Sequence, residues 1–499
     1  MVTNKLFYSA VIGAALLFAP VKATTYYVSS SGGDSNDGRS PDRPWKTMAK
    51  VNSITFASGD TVRFNGTFTD ATMGDPGSGT QTAPIVFIGE GSLNGRARLS
   101  AINLSNTRYA VFKNFDASSS GNYATPVQLE GTVSFVRFEN LYLHTAYEGV
   151  NVSAATVTDV TFINTLIDSM RADGILLNDN AGDRFSFIGG SIRNTGLNPP
   201  SWNTHGCYAS GGHGHIFDGV TFANNASGWA VSIRRGNMTV RNCRFSDVKP
   251  AAGTARGGSG FINNNNEDEG TVNPNTGTPS RDLTYYIYRN VFVGPGTAIY
   301  QSTNNDVGID DPGNHWVVFN NTFINTTVNF DGGTSQYYDF YLRNNAFVNS
   351  SLSLKTGVSG KVREVSNNGW WNSGSAQGTS NVTTDPQLDA QKGVTAVGYR
   401  DKGIVNPAPG VTMVPDNSNP LGFAGTAPDI GASEYVSTTQ TSLLWAGPNT
   451  SLLSTTNAVI TGMKRFSAPQ TGFDIKGRYA TGRMLPGLLI VKKAAQSDQ

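Results

Sequence analysis

The chain has 499 residues, and 37 Lys and Arg stand against 36 Asp and Glu, which gives a net charge of +1. This balance excludes a nucleic-acid binder, which would carry a basic excess, and 38% hydrophobic residues exclude a chain that is disordered throughout. Charged residues are scarce at 15%, whereas Gly (57 residues) and Asn are abundant. Because Gly and Asn are poor helix formers and good turn residues, the composition predicts an all-β protein with many turns.

A secretion signal is predicted at the N-terminus. Lys5 supplies a positive charge, residues 11–19 (VIGAALLFA) form an apolar run too short to span a bilayer, and Val21-Lys22-Ala23 fits a small-x-small cleavage site. We interpret residues 1–23 as a signal peptide, with a buried strand as the alternative. The mature protein is therefore expected to be secreted or to lie at the cell surface. No later segment is apolar enough to predict a membrane span.

Internal repeats with a period of about 25 residues fill the centre of the chain. A turn position that is mostly Asn precedes a short apolar strand at residues 114, 140, 164, 189, 219, 242, 290, 321 and 345. Between these positions, a glycine opens a second short apolar strand at Gly149, Gly174, Gly206, Gly228 and Gly260. No single repeat can bury its own apolar face, so successive repeats must stack. The pattern predicts a parallel β-helix of about ten coils.

The recurring asparagines are predicted to be structural. Asn tolerates the left-handed backbone conformation, and its amide can bond with the same Asn one coil away, as in stacked Asn ladders. We assign this role to Asn114, Asn140, Asn164, Asn242, Asn290, Asn321 and Asn345.

The two cysteines, Cys207 and Cys243, both lie in apolar strand contexts. Buried free thiols are favoured over a disulfide, because two cysteines do not make a disulfide framework. Their spacing also matches no zinc motif.

The opening and closing segments resemble those of a known superfamily. Residues 25–51 with Gly59-Asp60-Thr61-Val62, and the later segments 385–388 and 429–434, are similar to the corresponding parts of secreted bacterial right-handed parallel β-helix proteins. This superfamily includes pectate-lyase-like enzymes, and the resemblance covers roughly residues 25–436. It implies a right-handed β-helix, but the fold hosts many chemistries.

The predicted organisation has four parts. Residues 1–23 are the signal peptide, 24–82 the N-terminal cap and first coil, 83–436 the β-helix with its closing segment, and 437–499 a linker and tail. The tail loosely resembles the C-terminal sorting or β-sandwich tails of secreted bacterial proteins. That interpretation implies contact with the secretion machinery, and a disordered tail with a few strands is the alternative.

A candidate catalytic column follows from aligning the coils on the second-strand glycine. The preceding residues are then Glu148, Asp173, His205, Ser227 and Ser259. Equivalent positions of successive coils lie about 4.8 Å apart, and a carboxylate beside a histidine can orient the ring and raise its pKa for acid–base catalysis. The alternative is a polar rim of ordinary turn residues.

Other candidates lie close to this column in the sequence. Tyr208 should face outward with His205, and Arg234 and Arg235 follow one coil later, where their guanidinium groups suit a uronic-acid carboxylate. The predicted catalytic residues are His205, Tyr208, Asp173 and Arg234. The predicted substrate-binding residues are Arg235, His213, Glu148 and Asn264.

Calcium is the one candidate cofactor. Glu267, Asp268 and Glu269 follow a run of asparagines and could supply oxygen ligands, although they do not match an EF-hand. Many lyases that resemble this fold use a Lys or Arg base with Ca²⁺. Because only Lys113 and Lys249 occur between residues 60 and 350, a base from His205, Tyr208 or Arg234 fits this sequence better.

The favoured function is that of a polysaccharide lyase that acts by β-elimination on a uronic-acid glycan. His205 or Tyr208 would be base or acid, Arg234 or Arg235 would neutralise the substrate carboxylate, and Asp173 would orient His205.

Two alternatives remain open. A glycoside hydrolase needs two carboxylates roughly 5–9.5 Å apart, which Glu148 with Asp173, or Asp173 with an acid from 267–269, could supply. A non-catalytic surface glycan-binding protein or adhesin is the other. In each case the expected partner is a polysaccharide, and a monomer is expected.

Overall fold

A computed structural model describes residues 23–91, 94–197, 204–226, 228–234, 236–247, 260–264, 283–301, 314–330, 338–354, 363–416, 419–434, 471–473 and 479–481. Helical structure in these ranges is limited to Met48–Asn52 and the 3₁₀ turn Val397–Tyr399. Most coils contribute three short strands, and equivalent strands of successive coils pair in parallel. The result is three long parallel sheets.

The first sheet carries the candidate site. Its strands are Ile102–Lys113, Val127–Glu139, Val150–Val152, Ile175–Leu177, Cys207–Ala209, Trp229–Ile233, Gly260–Asn264, Thr297–Gln301, Thr327–Phe330 and Ser351–Leu354. Among the described residues the first sheet has ten strands, the second thirteen and the third twelve, because the first coils lack a first-sheet strand; the predicted parallel β-helix is confirmed.

The second sheet follows in each coil, and Ile102–Lys113 and Val127–Glu139 are long enough to continue into it. Its other strands are Thr25–Ser29, Thr61–Asn65, Ile85–Gly89, Val160–Ile163, Phe185–Ile188, His215–Asp218, Met238–Arg241, Leu283–Tyr288, Asn314–Phe319, Tyr338–Arg343 and Arg363–Ser366.

The third sheet completes each coil. Its strands are Thr67–Phe68, Ala97–Leu99, Phe115–Ser118, Tyr142–Ala146, Leu166–Met170, Ser191–Arg193, Thr221–Ala223, Arg244–Ser246, Val291–Val293, Thr322–Ile324, Ala346–Val348 and Gly369–Trp371.

Columns of equivalent apolar side chains fill the interior. On the second sheet, phenylalanine rings of successive coils stack with centroids 4.7 to 5.3 Å apart, close to the spacing of paired strands. The residues of this column are Phe87, Phe112, Phe138, Phe162, Phe187 and Phe217. Because each aromatic ring buries a large apolar area, the repeat of one residue type gives a continuous core.

The turn between the second and third sheets contains two columns of asparagine, where one was predicted. The first column has left-handed backbone and includes Asn114, Asn140, Asn164, Asn242, Arg289, Asn320 and Asn344. In the second, buried column, Asn290 Nδ2 donates to Asn321 Oδ1 at 3.0 Å, Asn321 to Asn345 at 3.0 Å and Asn345 to Asn368 at 3.2 Å. The structural role of these asparagines is confirmed, but the predicted alignment is wrong by one position from residue 290 onward.

Additional segments pack against the first coil and against the last coils. At the first coil, Trp45 and Phe56 pack against Tyr26, beside the helix Met48–Asn52, whose N-cap Thr47 accepts from the Lys50 backbone N–H. The closing segment at 385–434 lies against the outside of the last coils, where Tyr399 and Ile430 pack with Ala346.

Three further sequence predictions meet the structure here. Cys207 and Cys243 are buried free thiols, as predicted. Within the described residues, no helix is long and apolar enough to cross a membrane. Beyond residue 434 the structure describes the antiparallel pair Thr471–Phe473 and Tyr479–Thr481, and the four-part division of the chain stays a prediction.

Candidate active site

The corner between the third and first sheets is built by glycine. A Cβ added to Gly174 would lie 2.7 Å from Ile192 Cγ2 and 2.5 Å from the Gly206 carbonyl oxygen, so this residue faces the core and admits no side chain. The next residue, Ile175, also faces the core. The residue before the glycine, Asp173, is itself buried, with 5% of its surface exposed.

The strand register confirms that Glu148, Asp173 and His205 lie on successive coils. Val150 pairs with Ile175, and Ile175 pairs with Cys207, so the three residues hold equivalent positions. In the next coil Cys207 pairs with Val231, which makes Trp229 the equivalent of His205. The predicted alignment on Gly228 is therefore wrong by two residues, because in this coil Ala230 and not a glycine holds the corner position of Gly174 and Gly206.

Glu148 and Asp173 are buried carboxyl groups whose pKa values are raised. Glu148 Oε2 accepts from Asn151 Nδ2 at 2.8 Å. This hydrogen bond lowers the pKa of Glu148, but burial has the larger effect and the pKa is raised. Burial, together with the nearby Glu148, raises the pKa of Asp173 well above its ordinary range. Both groups therefore favour the protonated, uncharged form more than an exposed carboxyl does.

Asp173 does not contact the His205 ring in the predicted manner. Its Oδ1 accepts from the His205 backbone N–H at 2.6 Å. The ring nitrogen Nδ1 instead accepts from the Trp229 backbone N–H at 3.0 Å. Burial lowers the pKa of His205 to about 4, so the expected rise of this pKa beside a carboxylate is not found.

These contacts fix the form of the His205 side chain. At neutral pH the ring is uncharged, and because Nδ1 is an acceptor, the proton lies on Nε2. His205 is therefore a hydrogen-bond donor at Nε2. The ring is stacked on Tyr208, with centroids 5.1 Å apart and planes at 27°.

Tyr208 lies at the outward position of its strand and contacts a guanidinium group. Arg234 Nη1 donates to Tyr208 Oη at 3.1 Å across one coil. Tyr208 is half-buried, with Leu176 and Ser232 as its strand partners. A guanidinium that donates to a phenolic oxygen stabilises negative charge there, which is what a tyrosine base requires.

Two predicted substrate-binding residues lie away from this group. His213 is in the turn between the first and second sheets, where its backbone N–H donates to Asp183 Oδ1 at 2.9 Å. Asn264 pairs with Ile233 and Gln301 in an inward column and is 0% exposed, so it does not reach the surface.

The remaining predicted residues cannot be placed. Arg235, Glu267, Asp268 and Glu269 lie outside the described residues. Among the residues that are described, no three His, Cys, Asp or Glu side chains are grouped to hold a metal ion.

The sequence predictions missed Asn151 and Trp229. Asn151 holds the same strand position as Tyr208 and binds Glu148, and Trp229 supplies the backbone N–H that sets the His205 tautomer. The offset of Tyr208 from its glycine, applied to Gly149, would have identified Asn151. Trp229 could not be found in this way, because Ala230 and not a glycine holds the corner position in its coil.

Comparisons with known proteins give distant likenesses only. No protein-family model matches the chain, and no curated protein matches it. Among solved structures, the pectate lyase Pel9A is 18% identical with a TM-score of 0.47, over 84% of this chain and 98% of that one. The polysaccharide lyase Pedsa3628 from Pseudopedobacter saltans is 11% identical with a TM-score of 0.40, over 70% and 95%.

A lacto-N-biosidase is among the similar structures as well. The lacto-N-biosidase from Eubacterium ramulus is 13% identical with a TM-score of 0.36, over 64% of this chain and 68% of that one. At these scores the chemistry of the three proteins does not transfer to this chain.

Proposed function

We propose that the protein is a secreted polysaccharide lyase that cleaves a uronic-acid glycan by β-elimination. The observation that carries the proposal is the bond from Arg234 Nη1 to Tyr208 Oη, beside the neutral ring of His205. Tyr208 holds an outward, half-buried position of the first sheet, and the His205 ring is buried beside it. Together they combine a stabilised phenolic oxygen with a hydrogen-bond donor.

In the proposed step Tyr208 Oη removes the proton on the carbon next to the uronate carboxyl group. The electron pair of that C–H bond forms a carbon–carbon double bond, and the bond to the 4-linked oxygen breaks. The departing oxygen takes up the proton that Tyr208 Oη has removed, which returns Tyr208 to its basic form, while the neutral His205 ring donates a hydrogen bond from Nε2–H. The products are an unsaturated uronate end and a new sugar end.

The buried carboxyl groups support an anionic substrate. Because the pKa values of Glu148 and Asp173 are raised, the corner carries less negative charge than two exposed carboxylates would, and a uronate is repelled less. A protonated carboxyl group can also donate a hydrogen bond to the substrate carboxylate, whose charge grows into an enolate as the proton leaves.

The wider proposal keeps the predicted surroundings of this site. Residues 1–23 direct secretion, residues 437–499 serve in sorting, and Glu267, Asp268 and Glu269 are the ligands for Ca²⁺. Hydrolysis is the second candidate. It is supported by the adjacent Glu148 and Asp173, since a carboxyl group with a raised pKa beside a second carboxyl group is the arrangement of a glycosidase.

The test is a product assay on the full chain with polygalacturonate, alginate and glucuronoxylan, with Ca²⁺ or with EGTA. A lyase gives an unsaturated product that absorbs in the ultraviolet. New reducing ends without absorbance would establish hydrolysis instead. Binding without any product would leave a glycan-binding protein.

The variant Tyr208→Phe is expected to lower kcat by about 10²- to 10⁴-fold, because the ring stays and the proton acceptor is lost. Tyr300→Phe is the matched control, since Tyr300 holds the same outward strand position further along the sheet. Equal activity of Tyr208→Phe and wild type would refute Tyr208 as the base.

A further inference from the structure

A second group of side chains lies beside the candidate active site. It consists of Tyr123, Tyr147 and Arg171, which we call the rim cluster. Tyr123 is 72% exposed. Its backbone has φ of 60°, a conformation that non-glycine residues adopt rarely.

The rim cluster is held in place by several contacts. The rings of Tyr123 and Tyr147 meet edge to face, with centroids 4.8 Å apart and planes at 63°. The Arg171 guanidinium lies over the Tyr147 ring, 5.5 Å from its centroid, and also donates to the Gly121 carbonyl oxygen. The Tyr147 backbone N–H donates to the Ala124 carbonyl oxygen at 3.0 Å. The loop that presents Tyr123 is thus fixed to the two following coils.

The rim cluster lies at the same corner as the buried carboxyl groups. Tyr147 directly precedes Glu148, and Arg171 lies two residues before Asp173. The Ala172 backbone N–H donates to the Tyr147 carbonyl oxygen at 2.8 Å, which joins the two turns. The first-sheet strand that follows Tyr123 is Val127–Glu139. Three successive strand pairings lead from it to Cys207–Ala209, the strand that contains Tyr208. At the strand spacing, this is about 14 Å along the helix axis.

The chemistry of the rim cluster suits an acidic sugar. An exposed aromatic ring offers an apolar face to the C–H groups of a sugar ring, and a guanidinium binds a carboxylate through two parallel N–H groups. The neighbouring carboxyl groups, Glu148 and Asp173, are buried. Because the Tyr123 side chain is exposed, packing of the core does not require a tyrosine at this position.

We propose that Tyr123 and Arg171 form a subsite for a uronic-acid residue of an extended polysaccharide that runs along the helix axis from Tyr208. The sugar ring stacks on Tyr123, and its carboxylate bonds to Arg171. The subsite rests on the proposed function for its substrate class. To the proposed lyase site, the subsite adds a second binding position several coils from the bond that is cleaved. It also defines the direction in which the polymer lies on the protein.

The test is affinity electrophoresis of the full chain in native gels that contain polygalacturonate or alginate. Tyr123→Ala is expected to weaken binding by about two- to tenfold, the range for a lost aromatic contact. Tyr123→Phe should bind like wild type. Val397→Ala is the matched control, because Val397 is 73% exposed and belongs to the closing segment.

The charge requirement is tested with Arg171→Gln and Arg171→Lys. The glutamine variant should lose affinity for the uronate polymer and keep its affinity for the same polymer after carboxyl reduction, whereas the lysine variant keeps most of both. Equal loss on both polymers would overturn the assignment of Arg171 to the carboxylate. Wild-type affinity in Tyr123→Ala would overturn the subsite.

The two proposals can fail separately. Ultraviolet-absorbing product together with unchanged KM in Tyr123→Ala overturns the subsite and leaves the lyase. Weaker binding by Tyr123→Ala without any product supports the subsite and overturns the lyase. If wild type is retarded by neither polymer, the subsite is overturned as well. In an active enzyme, Tyr123→Ala should raise KM for long oligosaccharides and leave kcat unchanged.

Discussion

The neutral imidazole of His205 shows how a neighbouring coil sets the chemistry of one side chain. Its Nδ1 accepts from the Trp229 backbone, and its pKa falls to about 4. The sequence predicts a histidine and a tyrosine on one outward face; the two rings are stacked, but His205 is buried. The sequence does not predict the tautomer, because the donor is a backbone group of the next coil, where no glycine marks the corner position.

The lowered pKa of His205 predicts a pH-dependent stability. Since the folded pKa lies below the ordinary value of 6.5, the unfolded chain binds the proton first. The contribution of His205 is complete above pH 6.5 and is lost as the pH falls through about 4. His205→Asn removes the titrating group, so the stability of wild type relative to this variant should fall by about 3 kcal/mol across this range.

The measurement is the urea midpoint of both proteins at several pH values between 7 and 4. Glu148 and Asp173 titrate in both proteins, and their contributions cancel in the difference. A difference that is constant with pH would contradict the buried neutral histidine.

The corner glycines act at the scale of the element, because they let the third sheet turn into the first without a side chain in the core. Gly174→Ala is expected to destabilise the protein by about 1–3 kcal/mol, the usual cost of overpacking, since its Cβ would lie 2.5 Å from a carbonyl oxygen. Gly33→Ala is the control, where the nearest atom is 3.5 Å away. Thermal unfolding of the two variants checks this, and equal midpoints would refute a close-packed corner.

The sequence predicted the strands and their alignment correctly where successive coils repeat the same motif. The glycine at the start of each first-sheet strand placed Glu148, Asp173 and His205 correctly, because their coils share the same corner. The alignment failed at Trp229 and at Asn290. At Trp229 the corner position is occupied by Ala230 and not by a glycine. At Asn290 two adjacent residues, Arg289 and Asn290, both suit a turn, so the motif does not say which of them holds the left-handed position.

At the scale of the whole molecule, the closing segment covers the outer face of the last coils. Burial and the nearby Asp429 raise the pKa of Glu434 to about 8, and the Asp429 backbone N–H donates to its carboxyl group at 3.2 Å. A carboxyl group with a raised folded pKa stabilises the fold at low pH, and this contribution is lost as the pH rises through about 8.

The closing segment should therefore loosen at alkaline pH. Hydrogen exchange in residues 385–434, corrected for intrinsic rates, is expected to rise relative to the core between pH 6 and pH 9. Glu434→Gln should flatten this dependence. The same rise in the glutamine variant would show that another group is responsible.

The parallel β-helix itself follows from the sequence, because a repeat that cannot bury its apolar face alone must stack. The site follows only in part, since its acid–base properties arise from burial and from contacts between coils that lie 24 to 32 residues apart. Asp173 illustrates this: its place in the column is periodic, but its contact with the His205 backbone is specific to one turn.

The second turn column also bears on how such a chain finds its correct partner coils while it folds. In a stack of similar coils, a strand can pair with the wrong neighbour and still bury its apolar face, which gives a misassembled stack. Here the column changes from Val220 and Cys243 to Asn290, Asn321 and Asn345 along the axis. A stack in which Val220 or Cys243 took the place of Asn321 would leave Asn290 Nδ2 without its Oδ1 acceptor, so the change in residue type penalises misassembled stacks that uniform coils would tolerate.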